Sequence, residues 1–168
     1  IVGLPDNAVK ESQERVQSAL RVNGYKAPFK SVVVNLAPAD MRKEGSGFDL
    51  PVAIGVLCSY EFLSIDQPER FMFVGELGLG GEILPVKGVL PISIKARELG
   101  YEALFVPEEN AREAAVVNNL KVYGVKHLNE IVGFFSGTTS ILPTIVNTRE
   151  EFYSQLFTFP YDFDEVKG

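Results

Sequence analysis

Apolar residues follow helical and extended patterns in turn along the chain. From a candidate N-cap at Asp6 to about residue 23, they recur at the spacing of an amphipathic helix. The β-branched run at 31–36, SVVVNL, predicts a strand. Residues 50–62, LPVAIGVLCSYEF, are apolar on nearly every face, which predicts a buried helix with Asp49 as its cap.

The second half of the chain predicts a hairpin followed by alternating helices and strands. The hairpin has a strand at 71–77, a tight turn at 78–81 and a partner strand at 82–86. Strand–helix–strand order implies parallel pairing, so with the hairpin we expect a mixed sheet in an α+β domain with βαβ units. The remaining predicted elements are helices at 89–99, 108–118 and 127–135 and strands at 103–106 and 120–125.

The pattern changes near residue 136, where SGTTSILPTIVN has the composition of a linker. We therefore predict one domain over 1–137 and a linker over 138–168 that contains a weak helix at 149–157. Because the chain starts on Ile1 and ends in a charged segment, we expect it to be part of a longer polypeptide.

Composition narrows the possible functions. Hydrophobic residues make up 46% of the 168 residues, which is ample for a buried core. The net charge of −6 argues against a general phosphate-binding surface but leaves room for a local basic patch. The single cysteine, Cys58, excludes an internal disulfide and favours a cytoplasmic location, and no apolar run reaches the length of a membrane span.

Motifs for cofactors and metals are weak. The glycines of GLGG at 78–81 lie between two strands, which favours a hairpin turn over a phosphate loop. EGSGFD at 44–49 precedes a helix, but its two acidic residues would oppose an anion. One cysteine and one histidine, far apart, offer no metal-ligand pair, and we expect His127 to cap a helix or lie at the surface.

Four long segments resemble one bacterial protein family over nearly the whole chain. They are IVGLPDNAVKESQERV, VNLAPADMRKEGSGFDLPVAIGVL, VGELGLGGEILPVKGVLP and the closing FDEVKG. They are similar to the N-terminal part of the ComM/YifB proteins, which are Mg-chelatase-related AAA+ ATPases. The resemblance implies a ChlI-type domain with a Lon-protease-like fold, as in the second domain of ribosomal protein S-five. It also implies two strands before residue 1 and an ATPase module after residue 168.

The resemblance to Lon proteases bears on whether the domain is a peptidase. Aligned on the apolar helix, Phe48 stands at the position of the Lon nucleophilic serine, and Leu90 at that of the lysine. A serine nucleophile needs a base, and neither Phe nor Leu supplies a nucleophile or a base. Ser46 and Lys87 are a less favoured substitute pair, because each is displaced from the helix start that would aim it.

The resemblance therefore implies a non-catalytic accessory domain with no cofactor of its own. ATP and Mg are expected in the ATPase module, and the domain is expected to pack side by side in a hexameric ring. The parent would resemble a DNA branch-migration helicase of natural transformation. Candidate contacts with DNA or a partner are Arg42, Lys43, Lys26 and Lys30, with Lys10 as a further candidate. A solvated loop is an equally good interpretation of the first two.

Two other functions remain open at this point. One is a divergent ATP-dependent Ser–Lys peptidase that uses Ser46 and Lys87. The other is a protein-interaction module that forms rings without contacting DNA.

Overall fold

The computed structural model describes residues 7–36 and 45–158, in which helices cover both faces of a parallel sheet. In chain order the elements are α1 (Asn7–Val22), α2 (Asp49–Ser59), β1 (Phe71–Phe73), β2 (Glu76–Leu77), β3 (Ile83–Leu84), α3 (Val89–Glu98), β4 (Ala103–Pro107), α4 (Glu108–Ala115), β5 (Lys121–Val125), α5 (Leu128–Ser136) and α6 (Thr148–Thr158). The predicted mixed α/β fold class is confirmed.

The parallel sheet has the order β1-β4-β5, with β4 in the centre. Every residue of β4 is buried, as expected of a parallel strand covered on both faces. Ala103 and Phe105 belong to one hydrophobic cluster, while Leu104 and Val106 belong to the other. The alternation follows from the two-residue period of a strand, and it divides the core into two layers.

The larger hydrophobic cluster lies among α1, α2, α5 and one face of the sheet. It contains Leu20 from α1, Leu57 from α2 and Ile131 from α5, and all three side chains are almost fully buried. The smaller cluster joins α3 and α4 to the opposite face through Val89 and Ala114. Helices on two faces with a sheet between them form a three-layer domain.

The hairpin forms a sheet of its own, so the prediction that it joins the parallel strands in one mixed sheet is wrong for the described residues. β2 and β3 pair antiparallel, with Leu77 opposite Ile83, and neither strand joins the parallel sheet. The predicted strand at 71–77 is interrupted because Gly75 turns towards α2. Its N–H donates to the Gly47 carbonyl at 2.9 Å, and its carbonyl accepts from the Leu50 N–H at 3.0 Å.

The strand predicted at 31–36 is wrong within the described residues. The segment begins in a 3-10 turn, Phe29–Ser31, and continues as extended chain with one bridge residue at Asn35. Its side chains alternate like those of a strand, and Val33 is 78% exposed. β-branched residues favour extended backbone, but a strand also requires a neighbouring ladder, which no other described segment provides here.

Most other predicted boundaries agree with the structure. α1 ends before Gly24, whose φ of +83° suits a residue that follows a helix. α4 stops at Ala115 instead of 118, and the positive φ of Asn119 marks the turn into β5. The cap predicted at Asp6 lies outside the described residues. None of the described helices combines the length and apolar character that crossing a membrane requires.

Candidate functional site

The region that resembles a peptidase site surrounds the N-terminal end of α2. We call residues 45–50 and 74–90 the peptidase-like frame. It comprises the turn before α2, the β2–β3 hairpin and the start of α3. The hydrogen bonds of Gly75 to Gly47 and Leu50 fasten the hairpin to the start of α2.

Apolar side chains occupy the two positions that are expected from the sequence to correspond to the Lon catalytic residues. Phe48 is half-buried against the larger hydrophobic cluster and takes the N-cap position of α2 without a side-chain capping bond. Leu90 lies in the first turn of α3, and its backbone N–H donates to the Glu113 carboxylate at 3.2 Å. Neither side chain has a group that can attack a carbonyl or carry a proton.

Among the described residues, Ser46 and Lys87 form no hydrogen bond with each other. The Ser46 hydroxyl donates to the Glu76 carboxylate. Lys87 is exposed beside Gly88, which has a φ of +76° and precedes α3. The hydroxyl is thus paired with an acceptor carboxylate and not with an amine.

Asp49 is buried at the centre of the frame, with no solvent exposure. Its carboxylate accepts hydrogen bonds from the Ser12 hydroxyl, from the Leu77 N–H at 3.1 Å, and from Arg15 Nε at 2.7 Å and Nη2 at 3.1 Å. This pairing raises the pKa of Arg15. Because the donors come from α1 and β2, one carboxylate joins three elements.

The prediction that Asp49 caps α2 is therefore wrong. Phe48 is the N-cap, and Asp49 begins the helix with its side chain turned into the core. One sequence signal pointed this way: Ser12 lies on the same helical face as the buried Val16 and Ala19, where a polar residue needs a partner. The pattern could not identify that partner, which is 37 residues away.

Asn110 fixes the chain just before α3. Its buried side chain accepts from the Val86 N–H at 3.0 Å and donates to the Val86 carbonyl at 2.9 Å. The start of α3 is thus fastened to α4 twice, through Asn110 and through Glu113. Sequence reasoning did not identify this contact either.

The glycine-rich turn at 78–81 is a hairpin turn, as predicted. Its Gly80 carbonyl accepts from Asn23 Nδ2 at 2.7 Å and lies 3.1 Å from His127 Nε2. His127 Nδ1 accepts from the Asn129 N–H, which places the imidazole proton on Nε2. His127 is the N-cap of α5, so the prediction that it caps a helix is confirmed.

The structure brings two of the predicted contact residues together. Lys26 and Lys30 line an open groove of about 920 Å³ that is formed by α1 and the segment after it, and they share it with Arg21, a residue that sequence reasoning did not single out. We call this the cationic groove, and it is lined by residues 13, 17, 20, 21 and 24–30. Arg42 and Lys43 lie outside the described residues. Lys10 is exposed on α1 and does not line the groove.

Groups that could hold a metal are absent from the described parts of the chain, 7–36 and 45–158. No cluster of three or more His, Cys, Asp or Glu residues occurs there. Cys58 is a free, half-buried thiol, and burial raises its pKa, which reduces its reactivity.

Known proteins resemble this chain over most of its length. Residues 1–110 match the family model described as subunit ChlI of Mg-chelatase. The competence protein ComM of Haemophilus influenzae is 43% identical over 137 residues, which are 82% of this chain and 27% of ComM. The protein YifB of Salmonella typhimurium is 37% identical over the same shares of the two chains. The chain thus spans 27% of the length of these relatives.

More distant relatives agree with the fold. The DNA repair protein RadA of Listeria monocytogenes is 32% identical over 96 residues, which are 56% of this chain and 20% of RadA. Lon protease 2 of Bacillus subtilis is 25% identical over 124 residues, which are 73% of this chain and 22% of that protein. Together with the parallel sheet and its helices, these relatives confirm a Lon-like α/β domain.

Proposed function

Because this chain belongs to the ComM/YifB family within the Mg-chelatase subunit ChlI group, we propose that it is a non-catalytic, Lon-like assembly domain of an AAA+ ATPase. The observation that carries the proposal is the pair of apolar residues, Phe48 and Leu90, at the positions that align with the Lon nucleophile and base. Peptide hydrolysis by this mechanism needs both groups within hydrogen-bonding reach of one another.

The surroundings of the two positions also favour a structural role. Phe48 packs against the core, and the Leu90 backbone is bonded to Glu113. The Ser46 hydroxyl is bonded to the Glu76 carboxylate and not to a lysine amine. The Asp49 carboxylate is hydrogen-bonded to Arg15 and to its other donors, so the frame connects α1, α2 and β2.

An assembly role is supported by apolar side chains left in solvent after α5. Leu142 is 82% exposed and Ile145 is 87% exposed. Between them the Thr144 N–H donates to the Val122 carbonyl at 2.7 Å, which holds this segment against the edge strand β5. A contact with another subunit would remove these two side chains from water, which favours association.

The proposal extends to the longer protein. ATP and Mg would bind in an ATPase module outside this chain, and the subunits would form a hexameric ring. The relative named competence protein ComM supports a parent that moves DNA during natural transformation, as a branch-migration helicase does. A cytoplasmic location is supported by the single free cysteine, Cys58.

The catalytic part is tested with the ATP-supplied, full-length protein and casein as substrate. We expect no cleavage by the natural protein or by its Ser46→Ala and Lys87→Ala variants, while a Lon protease run in parallel degrades the casein. Cleavage by the natural protein that is lost in Ser46→Ala would establish the Ser–Lys peptidase instead.

The assembly part is tested by analytical ultracentrifugation of the same protein with ATP. We expect Leu142→Ser combined with Ile145→Ser to shift rings towards smaller species, because the contact would lose its apolar groups. Leu99→Ser is the matched control, since Leu99 is 61% exposed at the end of α3. Monomers in the natural protein, or an equal shift in the control, would refute this assembly surface.

A further inference from the structure

The cationic groove concentrates positive charge on an acidic chain. Arg21, Lys26 and Lys30 line it and are exposed, whereas the whole chain has a net charge of −6. None of the described residues that line the groove is acidic. Within the described residues, none of the three cations forms an ion pair. A polyanion that avoids the rest of this surface would be attracted to this groove.

Aromatic side chains lie between the charges. Tyr25 and Phe29 both line the groove and are half-buried. The Tyr25 hydroxyl donates to Asn129 Oδ1 at 2.8 Å, and its ring packs edge-to-face with Phe62 at a centroid distance of 5.5 Å. These contacts fix the orientation of the Tyr25 ring, so the groove offers an aromatic surface that is already in place.

One local feature opposes an anion. The groove includes the C-terminal end of α1, where a helix has a partial negative charge of about half a unit. Three carbonyls of this end already accept from the N–H groups of Asn23, Gly24 and Tyr25. Three full positive charges outweigh the remaining partial charge, so the local field favours an anion.

We propose that the cationic groove binds single-stranded nucleic acid, with Arg21, Lys26 and Lys30 on phosphates and Tyr25 and Phe29 against bases. Unpaired bases can pack on aromatic rings, while bases within a duplex are already stacked on one another. An acidic peptide would use the cations but would leave the rings without a partner. The exposure of all three cations suits a strand that passes along the surface better than an enclosed small molecule.

The test measures binding of labelled oligothymidylate to the 168-residue chain by fluorescence anisotropy at several salt concentrations. Each phosphate contact to a single strand contributes about −0.7 to the slope of log K against log salt, so three contacts predict about −2. We expect Arg21→Ala, Lys26→Ala and Lys30→Ala together to weaken binding at least about tenfold and to bring the slope close to zero.

A matched control removes the same charge elsewhere. Lys95, Arg97 and Lys121 are exposed and lie outside the groove, so their triple alanine variant should bind nearly as well as the natural chain. Phe29→Leu keeps an apolar side chain but removes the ring, and we expect about fivefold weaker binding with an unchanged salt slope. Far-ultraviolet circular dichroism checks that every variant is folded.

Several results would overturn the proposal. They are equal losses in the two triple variants, full binding by Phe29→Leu, equally tight binding of a duplex, and equally good competition by polyglutamate. The proposal extends beyond the assembly role and does not depend on it. The groove variants should still form rings in the full-length protein, so loss of strand binding and loss of assembly are separate outcomes.

Discussion

Helix α1 carries two arginines that differ in almost every physical respect. Arg15 reaches the peptidase-like frame, where it forms a two-bond ion pair with the buried Asp49. Arg21 comes less than two turns later, is exposed, and lines the cationic groove without a charged partner in the described chain. The same residue type therefore serves as a structural connection in one region and as an available charge in the other.

The difference shows what to expect of each region. In the frame, the buried Asp49 carboxylate accepts hydrogen bonds from Ser12 and from the Leu77 N–H in addition to its ion pair with Arg15. We therefore expect these groups to contribute to stability. In the groove, charge faces water, where it contributes little to stability but can attract a ligand. Mutations in the frame should therefore change the free energy of unfolding, and charge mutations in the groove should change binding.

We expect the largest loss in the free energy of unfolding from Asp49→Ala, in the peptidase-like frame. It leaves Arg15 without its partner and orphans the Leu77 N–H. Removing one partner of a buried pair costs about 3–5 kcal/mol, and the partial exposure of Arg15 favours the lower end, about 3 kcal/mol. Urea unfolding measures this loss.

The control for that variant is Asp66→Ala, because Asp66 is an exposed acid. Its removal should change the unfolding free energy by less than about 0.5 kcal/mol. Combining Arg15→Ala with Asp49→Ala should cost less than the sum of the two single changes, since both remove one interaction. An Asp49→Ala loss below about 1 kcal/mol would contradict the structural role.

A smaller effect is expected at the hairpin turn that joins the two regions. Gly81 has a φ of +97°, and a Cβ there would lie 2.6 Å from Asn23 Nδ2 and 3.1 Å from the His127 ring. Gly81→Ala should therefore destabilise the protein by about 1–3 kcal/mol. Gly55→Ala should have the opposite sign, about 0.5–1 kcal/mol stabilising, because Gly55 lies in α2 with open space around it.

Both glycine variants are measured by the same urea unfolding as the Asp49 series. An unchanged free energy of unfolding in Gly81→Ala would show that the close approach of this turn to Asn23 does not require glycine. A destabilising Gly55→Ala would contradict the expectation that the space beside Gly55 can accept a methyl group.

The smallest effect concerns Tyr25, on the groove side. Burial raises the pKa of Tyr25 above its usual value of 10. Unfolded chains ionise this phenol first, so the stability that it contributes is complete below about pH 10 and is lost as pH rises through the folded-state pKa. Tyr25→Phe removes the hydroxyl bond to Asn129 at a cost of about 0.5–1 kcal/mol near neutral pH.

The natural chain should therefore exceed Tyr25→Phe in free energy of unfolding by less at alkaline pH than at neutral pH. Paired urea unfolding at neutral and alkaline pH measures the difference, and the other tyrosines and lysines cancel between the two chains. An advantage that stayed constant with pH would show that burial does not affect the ionisation of this phenol.

Local patterns predicted most of the fold after residue 49. The helix α3 and the strands β4 and β5 follow from periodicity and from glycine punctuation, which depend on neighbouring residues alone. The failure at 31–36 has the same cause, because β-branched residues select extended backbone but cannot provide the neighbouring ladder that makes a strand. The prediction that Asp49 caps α2 is wrong for a different reason. The Asp49 carboxylate accepts hydrogen bonds from donors that are distant along the chain, such as Arg15, and not from the backbone N–H groups at the start of α2.

By itself the sequence determined the order of helices and strands after residue 49, the family, and the expectation that Phe48 and Leu90 stand where a Lon-type peptidase needs a nucleophile and a base. Those properties are local or can be compared position by position. Only the tertiary structure decided that Asp49 pairs with Arg15, 34 residues away, and that Arg21, Lys26 and Lys30 line one groove. Such partners depend on how separate elements pack, and packing brings together side chains that no spacing along the chain connects.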